Sequence, residues 1–329
     1  METNLPASDK TAHSSSDSDA HLAAFDTGHR RAIANVLTAL ETGRTSNLAS
    51  LVQGLRSRAH GANIIGITGP PGAGKSTLVN ALLQTLRVRG RRLAVIAVDP
   101  SSPNSGGAIL GDRIRMSAAA EDPDIMIRSL SSAGHLGGVT PAAVRLIDGL
   151  DAAGFDPILI ETVGTGQNEI DIARIADVQL VVAAPGLGDG VQAMKAGLLE
   201  IADILVVNKS DHPGAHQTRD QLQNALALRA HDVAQPPVLA TAATTGTGIE
   251  ELATEIENQI AKRMSLSPAE RRQKRARYLL QQTLIAAIDE RLKDPTLTTE
   301  TKDLAERLTD GSMDADAAAR ALLALPRET

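Results

Sequence analysis

Uninterrupted aliphatic runs recur along the chain: Ile64-Ile65-Gly66-Ile67, Leu93-Ala94-Val95-Ile96-Ala97-Val98, Ile125-Met126-Ile127, Ile158-Leu159-Ile160, Leu180-Val181-Val182-Ala183-Ala184, Ile204-Leu205-Val206-Val207 and Val238-Leu239-Ala240. Short apolar runs without polar alternation suit strands covered on both faces of a parallel sheet. Helical patterns stand between several of them, such as Leu78-Val79-Asn80-Ala81-Leu82-Leu83 and the stretch from Thr140 to Ala153. Strands alternating with helices predict repeated βαβ units, an α/β fold with a mostly parallel central sheet.

Both flanks read differently. Residues 29–42 place Ile33, Val36, Leu37 and Leu40 at helical spacing, and 46–59 do the same with Leu48, Leu51, Val52 and Leu55. Gly43 closes the first helix and Thr45-Ser46-Asn47 can cap the second. The polar residues before about 20, including Ser14-Ser15-Ser16-Asp17-Ser18-Asp19, predict a disordered tail. Beyond 264 the strand signal stops, and helices are expected at 268–293, 298–309 and 314–324. The expected organisation is a tail over 1–20, an N-terminal helical segment over 21–60, an α/β domain over 61–263 and a helical extension over 264–329. That extension carries no chemical motif and reads as an interaction or oligomerisation element.

Composition narrows the possibilities. Hydrophobic residues make up 42% of the 329, with no Trp, one Tyr and two Phe, so the core is aliphatic. A net charge of −6 gives no reason to expect nucleic acid as a partner. The chain has no Cys, which excludes disulfides, thiolate metal sites and a catalytic thiol. No apolar run approaches the roughly 20 residues of a membrane span, and no basic-then-apolar leader opens the chain. The expectation is a protein of the cytoplasm with no membrane contact.

The chemistry starts at Gly69-Pro70-Pro71-Gly72-Ala73-Gly74-Lys75-Ser76-Thr77, which fills G-x-x-x-x-G-K-[ST] between a strand signal and a helix signal. Glycines let backbone N–H groups converge on phosphate oxygens, and the helix N-terminus adds partial positive charge. Lys75 would reach the β and γ phosphates, and the Ser76 hydroxyl would ligate Mg²⁺. Asn208-Lys209-Ser210-Asp211 follows a later strand and matches N-K-x-D. A carboxylate at Asp211 accepts from guanine N1–H and the 2-amino group together, whereas adenine presents an acceptor at N1 and is rejected. Ala242-Ala243-Thr244 would offer backbone N–H groups to the guanine carbonyl.

Asp99 and Glu161 end two strands and Asp112 opens a helix; with Ser76 they supply the hard oxygens that Mg²⁺ prefers. Gln167, in a glycine-rich loop, could orient an attacking water, and Arg115 and Lys195 are candidate charge stabilisers. His135 reads as an ordinary loop histidine.

The phosphate loop, together with A-V-D-P-S-S-P-N-S-G-G-A-I-L-G-D-R-I-R-M, S-S-A-G-H-L-G-G-V, I-E-T-V-G-T-G-Q-N-E and V-N-K-S-D, resembles the MeaB/ArgK family of P-loop GTPases. The likeness runs from about residue 29 to about 325. It implies a Mg²⁺ shell of Ser76, Asp99, Asp112 and Glu161, and switch loops near 99–116, 161–171 and 185–197, the last bearing Lys195. It further implies a homodimer built by the C-terminal helices. The implied function is a chaperone that uses GTP to gate cofactor loading and protect an adenosylcobalamin-dependent acyl-CoA mutase. Two rival readings remain. A nickel-delivery GTPase of the hydrogenase or urease type would need Cys/His clusters, and the eight His here are scattered. A small-molecule kinase would need an acceptor pocket with a base, and none is evident.

Overall fold

The computed structural model describes residues 12–99, 122–131, 140–162, 168–186, 197–227, 235–262, 266–292 and 298–324. Strands β1 (Ile64–Thr68), β2 (Leu93–Asp99), β3 (Ile125–Ser131), β4 (Ile158–Thr162), β5 (Val178–Ala183), β6 (Ile204–Val207) and β7 (Val238–Ala240) form one sheet in the order β3-β2-β4-β1-β5-β6-β7. Every pairing is parallel. β1, β4, β5 and β6 are buried along their whole length, as their unbroken apolar runs require.

Twelve described helices complete the chain. They are α1 (Ala12–Phe25), α2 (Arg30–Thr42), α3 (Leu48–Arg56), α4 (Lys75–Val88), α5 (Pro141–Ala152), α6 (Asn168–Ile175), α7 (Gly197–Ile201), α8 (Ala215–Ala227), α9 (Ile249–Lys262), α10 (Pro268–Leu292), α11 (Thr298–Thr309) and α12 (Ala315–Ala324). Alternate residues of the central strands feed two cores. Leu180, Val182 and Val206 meet Leu78, Leu82, Leu252 and Ile256 of α4 and α9 on one face. Val181, Leu205 and Val207 meet Leu198 of α7 and Leu222 and Leu226 of α8 on the other.

α2 and α3 pack against α5, and α1 packs on α2 and α3. α2 buries the stripe Ile33, Val36, Leu37 and Leu40, and ends at Gly43 with φ +65°. Asn47 caps α3 by accepting from the Ser50 N–H. Gly149 lets α5 approach α2: a methyl there would stand 2.7 Å from Leu40 Cδ1 and 2.9 Å from Leu37 Cδ2.

α1 corrects the expectation of a disordered tail over 12–20; residues 1–11 lie outside the described set. Phe25 is buried, Ser18 Oγ donates to the Asn47 carbonyl at 3.0 Å, and a methyl on Gly54 of α3 would overlap Leu22. These contacts, which Ser/Asp-rich composition does not announce, supply the burial that orders the helix.

The lower edge of the sheet is tied by buried charge. Asp151 Oδ1 accepts from the N–H groups of His60, Gly61 and Ala62 at 2.8–3.0 Å. Asp177 Oδ2 accepts from the Ile64 N–H at 2.8 Å and lies 3.7 Å from both Arg271 and Arg275 of α10. Burial raises the Asp148 carboxyl, against which the Arg56 guanidinium works, and burial lowers the Arg275 guanidinium.

These anchors explain a second difference from expectation. The chain divides into two units between Tyr278 and Leu279, inside α10, rather than near 264. Arg271, Arg275 and Tyr278 bind the first turns of α10 to the sheet unit. In the second unit α11 packs with α12, and α10 exposes Leu280, Leu284, Ile285 and Ile288. Among the described residues no helix is long and apolar enough to cross a membrane.

Candidate nucleotide-binding site

β1 lies between β4 and β5, so the turn leaving its C-terminal end is flanked by the ends of both. In open α/β sheets such a reversal of strand order opens the ligand crevice. The turn is Gly69–Gly74, and α4 begins at Lys75. Gly69 runs so close to β5 that a methyl on it would overlap the Val182 carbonyl oxygen, and its φ is +144°. Gly74, with φ +85°, leads directly into the helix. The first N–H groups of α4 have no helical acceptor and face the turn, which makes an anion cradle.

Lys75 is 6% exposed, and its Nζ donates to the carbonyls of Gly69 at 2.8 Å and Pro70 at 3.1 Å. The ammonium is thereby folded back over the turn it must serve. Ser76 Oγ donates to Glu161 Oε1 at 2.6 Å. Glu161 is buried near the end of β4, paired in register with Ile67 of β1 and Ala97 of β2. That register puts Asp99, the last residue of β2, on the same sheet edge. Asp112, Arg115, Gln167, Lys195 and His135 lie outside the described residues. The loop expected near 161–171 ends earlier than expected, because α6 already begins at Asn168.

The tetrapeptide Asn208-Lys209-Ser210-Asp211 follows β6. Asn208 is buried and braces three segments at once. Its Nδ2 donates to the Ala73 carbonyl at 3.0 Å, and its Oδ1 accepts from Thr241 Oγ1 and the Ala243 N–H, each at 3.2 Å. Lys209 takes φ +56°, turning the chain so that the Ser210 N–H reaches the Thr241 carbonyl at 2.9 Å. Asp211 is exposed at this turn, and no bond from its carboxylate is present among the described residues. Of the three N–H groups expected to meet a purine carbonyl, that of Ala242 donates to Thr247 O at 3.0 Å and that of Ala243 to Asn208. The Thr244 N–H has no such acceptor among the described residues.

Thr241 is the residue that sequence reasoning missed. It is fully buried and fastens the base loop to Asn208 through its hydroxyl and to Ser210 through its carbonyl. A small hydroxyl residue directly after the last strand was the available signal. Truncating Asn208 to Ala breaks four bonds, a long one of 3.4 Å to the Gly74 carbonyl included, and leaves the Thr241 hydroxyl buried without its acceptor. We expect a loss of roughly 2–3 kcal/mol in urea denaturation, with weaker nucleotide binding alongside.

A family model described as "Methylmalonyl Co-A mutase-associated GTPase MeaB" matches residues 33–298. A Pyrococcus horikoshii protein that carries a GTPase name is 48% identical over 229 residues, 68% of this chain and 72% of that one. A Mycobacterium bovis protein, also bearing a GTPase name, is 38% identical over 312 residues, 92% and 93% of the two chains. Among solved structures, one titled "Crystal structure of LAO/AO transport system kinase" superposes with a TM-score of 0.73 over 96% of this chain and 98% of that one, at 24% identity. At that identity the likeness shows the fold alone.

Proposed function

Since the chain belongs to the MeaB family of methylmalonyl-CoA mutase-associated GTPases, we propose that it binds GTP with Mg²⁺, hydrolyses it, and uses the cycle to gate cofactor loading of an adenosylcobalamin-dependent acyl-CoA mutase. The observation that carries the nucleotide reading is Asn208. One buried amide joins the phosphate loop at Ala73 to the base loop at Thr241 and Ala243, so the two recognition elements are built as one piece.

In this reading the turn's N–H groups and the α4 N-terminus hold the phosphate oxygens. Lys75 exchanges its bonds to Gly69 and Pro70 for bonds to the β and γ phosphates. Asp211 selects guanine, with the Thr244 N–H facing the base carbonyl. The donor set fits Mg²⁺: the Ser76 hydroxyl and the Glu161 carboxylate are hard oxygens that already meet at the phosphate end of α4. Ser76, Glu161, Asp99 and Asp112 would hold the ion, which would neutralise charge on the phosphates. Gln167 is assigned to orient water, and Arg115 and Lys195 to stabilise developing charge. The apolar face of the second unit, with Leu280, Leu284, Ile285 and Ile288 exposed, is assigned to a homodimer contact.

Partner dependence is the test of the chaperone role. We expect slow turnover by the protein alone, with the mutase raising it by about tenfold or more. The nucleotide-loaded protein is expected to capture the mutase in a state-dependent way, GTP against GDP. Fast turnover alone, without response to the mutase, would contradict the chaperone role. A phosphorylated small-molecule product would replace it with a kinase.

A further inference from the structure

Gln179 is a polar residue in a strand where every neighbour is apolar. It sits near the start of β5, is 2% exposed, and pairs in register with Gly66 of β1. Its backbone is satisfied: the N–H donates to Asp203 Oδ2 at 2.8 Å, and its carbonyl accepts from the Asp203 N–H at 2.9 Å. Its side chain is not. Nε2 makes one long bond, 3.4 Å, to the Leu180 carbonyl, and Oε1 is buried with no donor among the described residues.

The amide oxygen occupies the space that a side chain on Gly66 would take. A methyl on Gly66 would overlap Gln179 Oε1 and stand 3.0 Å from Ile172 Cγ1 and 3.1 Å from Ala176 Cβ. Helix α6 is therefore seated on β1 through a gap that only glycine leaves, with an unsatisfied amide inside the seat. β1 carries the phosphate loop three residues further on, and α6 is the helix entered after β4, the strand of Glu161. The same Gln179, with Ala173 and Ala176, lines an open cleft of about 780 Å³ at the lower end of β5 and β6.

We propose that Gln179 is a positioning residue for GTP hydrolysis: its buried amide keeps α6 only marginally seated on β1, so that the helix lifts and reseats during the nucleotide cycle. Seated, the amide oxygen is dry and lacks a donor, which raises the free energy of that arrangement. Lifted, the oxygen is hydrated from the adjoining cleft, and the cost is relieved. An apolar residue of the same shape removes the penalty and holds the helix down. Gln179 acts through α6 and touches no reacting atom. The inference rests on the GTPase reading of the site. Absence of GTP hydrolysis by the unaltered protein would sink that reading, whereas hydrogen exchange reads the helix directly and unchanged exchange in a protein that does hydrolyse GTP would sink this inference alone.

The variant is Gln179→Met, nearly isosteric and without the amide. We expect amide exchange over residues 168–176 to slow by about tenfold, and kcat to fall by about tenfold. GTP affinity should stay within about twofold, because the phosphate loop is untouched. An amide that only fills space predicts none of this. Exchange that is unchanged or faster, or an unchanged kcat, overturns the proposal. Should Gln179→Met fail to fold, Gly66→Ala carries the test in the opposite sense. It should push α6 off its seat and accelerate exchange over the same residues; unchanged exchange overturns the proposal.

Discussion

Lys75→Ala is expected to abolish useful nucleotide binding, weakening GTP by about 10²- to 10⁴-fold. The figure follows from losing two charge-assisted hydrogen bonds to phosphate, each worth roughly 1.5–3 kcal/mol. Here Lys75 Nζ already spans the two carbonyls at the start of the turn, Gly69 and Pro70, so its stem is directed over the cradle rather than into solvent. The fold should survive, because the core beneath the turn rests on Leu78, Val79, Leu82 and Leu83 of α4. Calorimetric titration with GTP, alongside thermal unfolding of the same sample, checks both halves. Retained affinity would show that the turn binds phosphate without its lysine.

Asp211→Asn is expected to weaken guanosine nucleotides by about 10- to 100-fold, the worth of a hydrogen bond pair to a carboxylate replaced by a single neutral one. An amide presents one acceptor and one donor where guanine offers two donors. It therefore matches xanthine, whose C2 carbonyl accepts, and xanthosine triphosphate should gain on GTP. The exposed position of Asp211 after the Lys209 turn means that the substitution disturbs no packing. Competition between the two nucleotides, measured on both proteins, separates specificity from general damage. An unchanged preference for GTP would remove the guanine assignment.

How much of this could be read from the sequence depends on what each feature costs the chain locally. The sheet was legible because strands buried on both faces must be written as apolar runs, and β1, β2, β4, β5 and β6 all are. The phosphate turn was legible because the conformations at Gly69 and Gly74 exclude other residues. α1 was hidden by its Ser/Asp composition, since its order comes from Ser18 and Leu22 meeting α3 and the segment before it and from the burial of Phe25. The break inside α10 was hidden by continuous helical spacing; only burial of Arg275 and Tyr278, followed by exposure of Leu280, reveals it.

Long-range partners were the least legible. The N-K-x-D pattern points to base choice, yet Asn208 reaches Ala73, 135 positions upstream, and Thr241, 33 positions downstream. Gln179 stands immediately before the apolar run Leu180–Ala184; that it faces a glycine on the neighbouring strand is a fact of register. No local pattern encodes either contact.

The central claim is that one continuous crevice holds a guanosine nucleotide with its metal, phosphates at Lys75 and base at Asp211. Isothermal titration of the full chain with GTP, GDP and ATP, with and without Mg²⁺, tests it most directly. The account predicts one site per chain, GTP bound at least about 100-fold more tightly than ATP, and a loss of GTP affinity when Mg²⁺ is removed. Equal affinity for ATP, or no heat with any guanosine nucleotide, would contradict it.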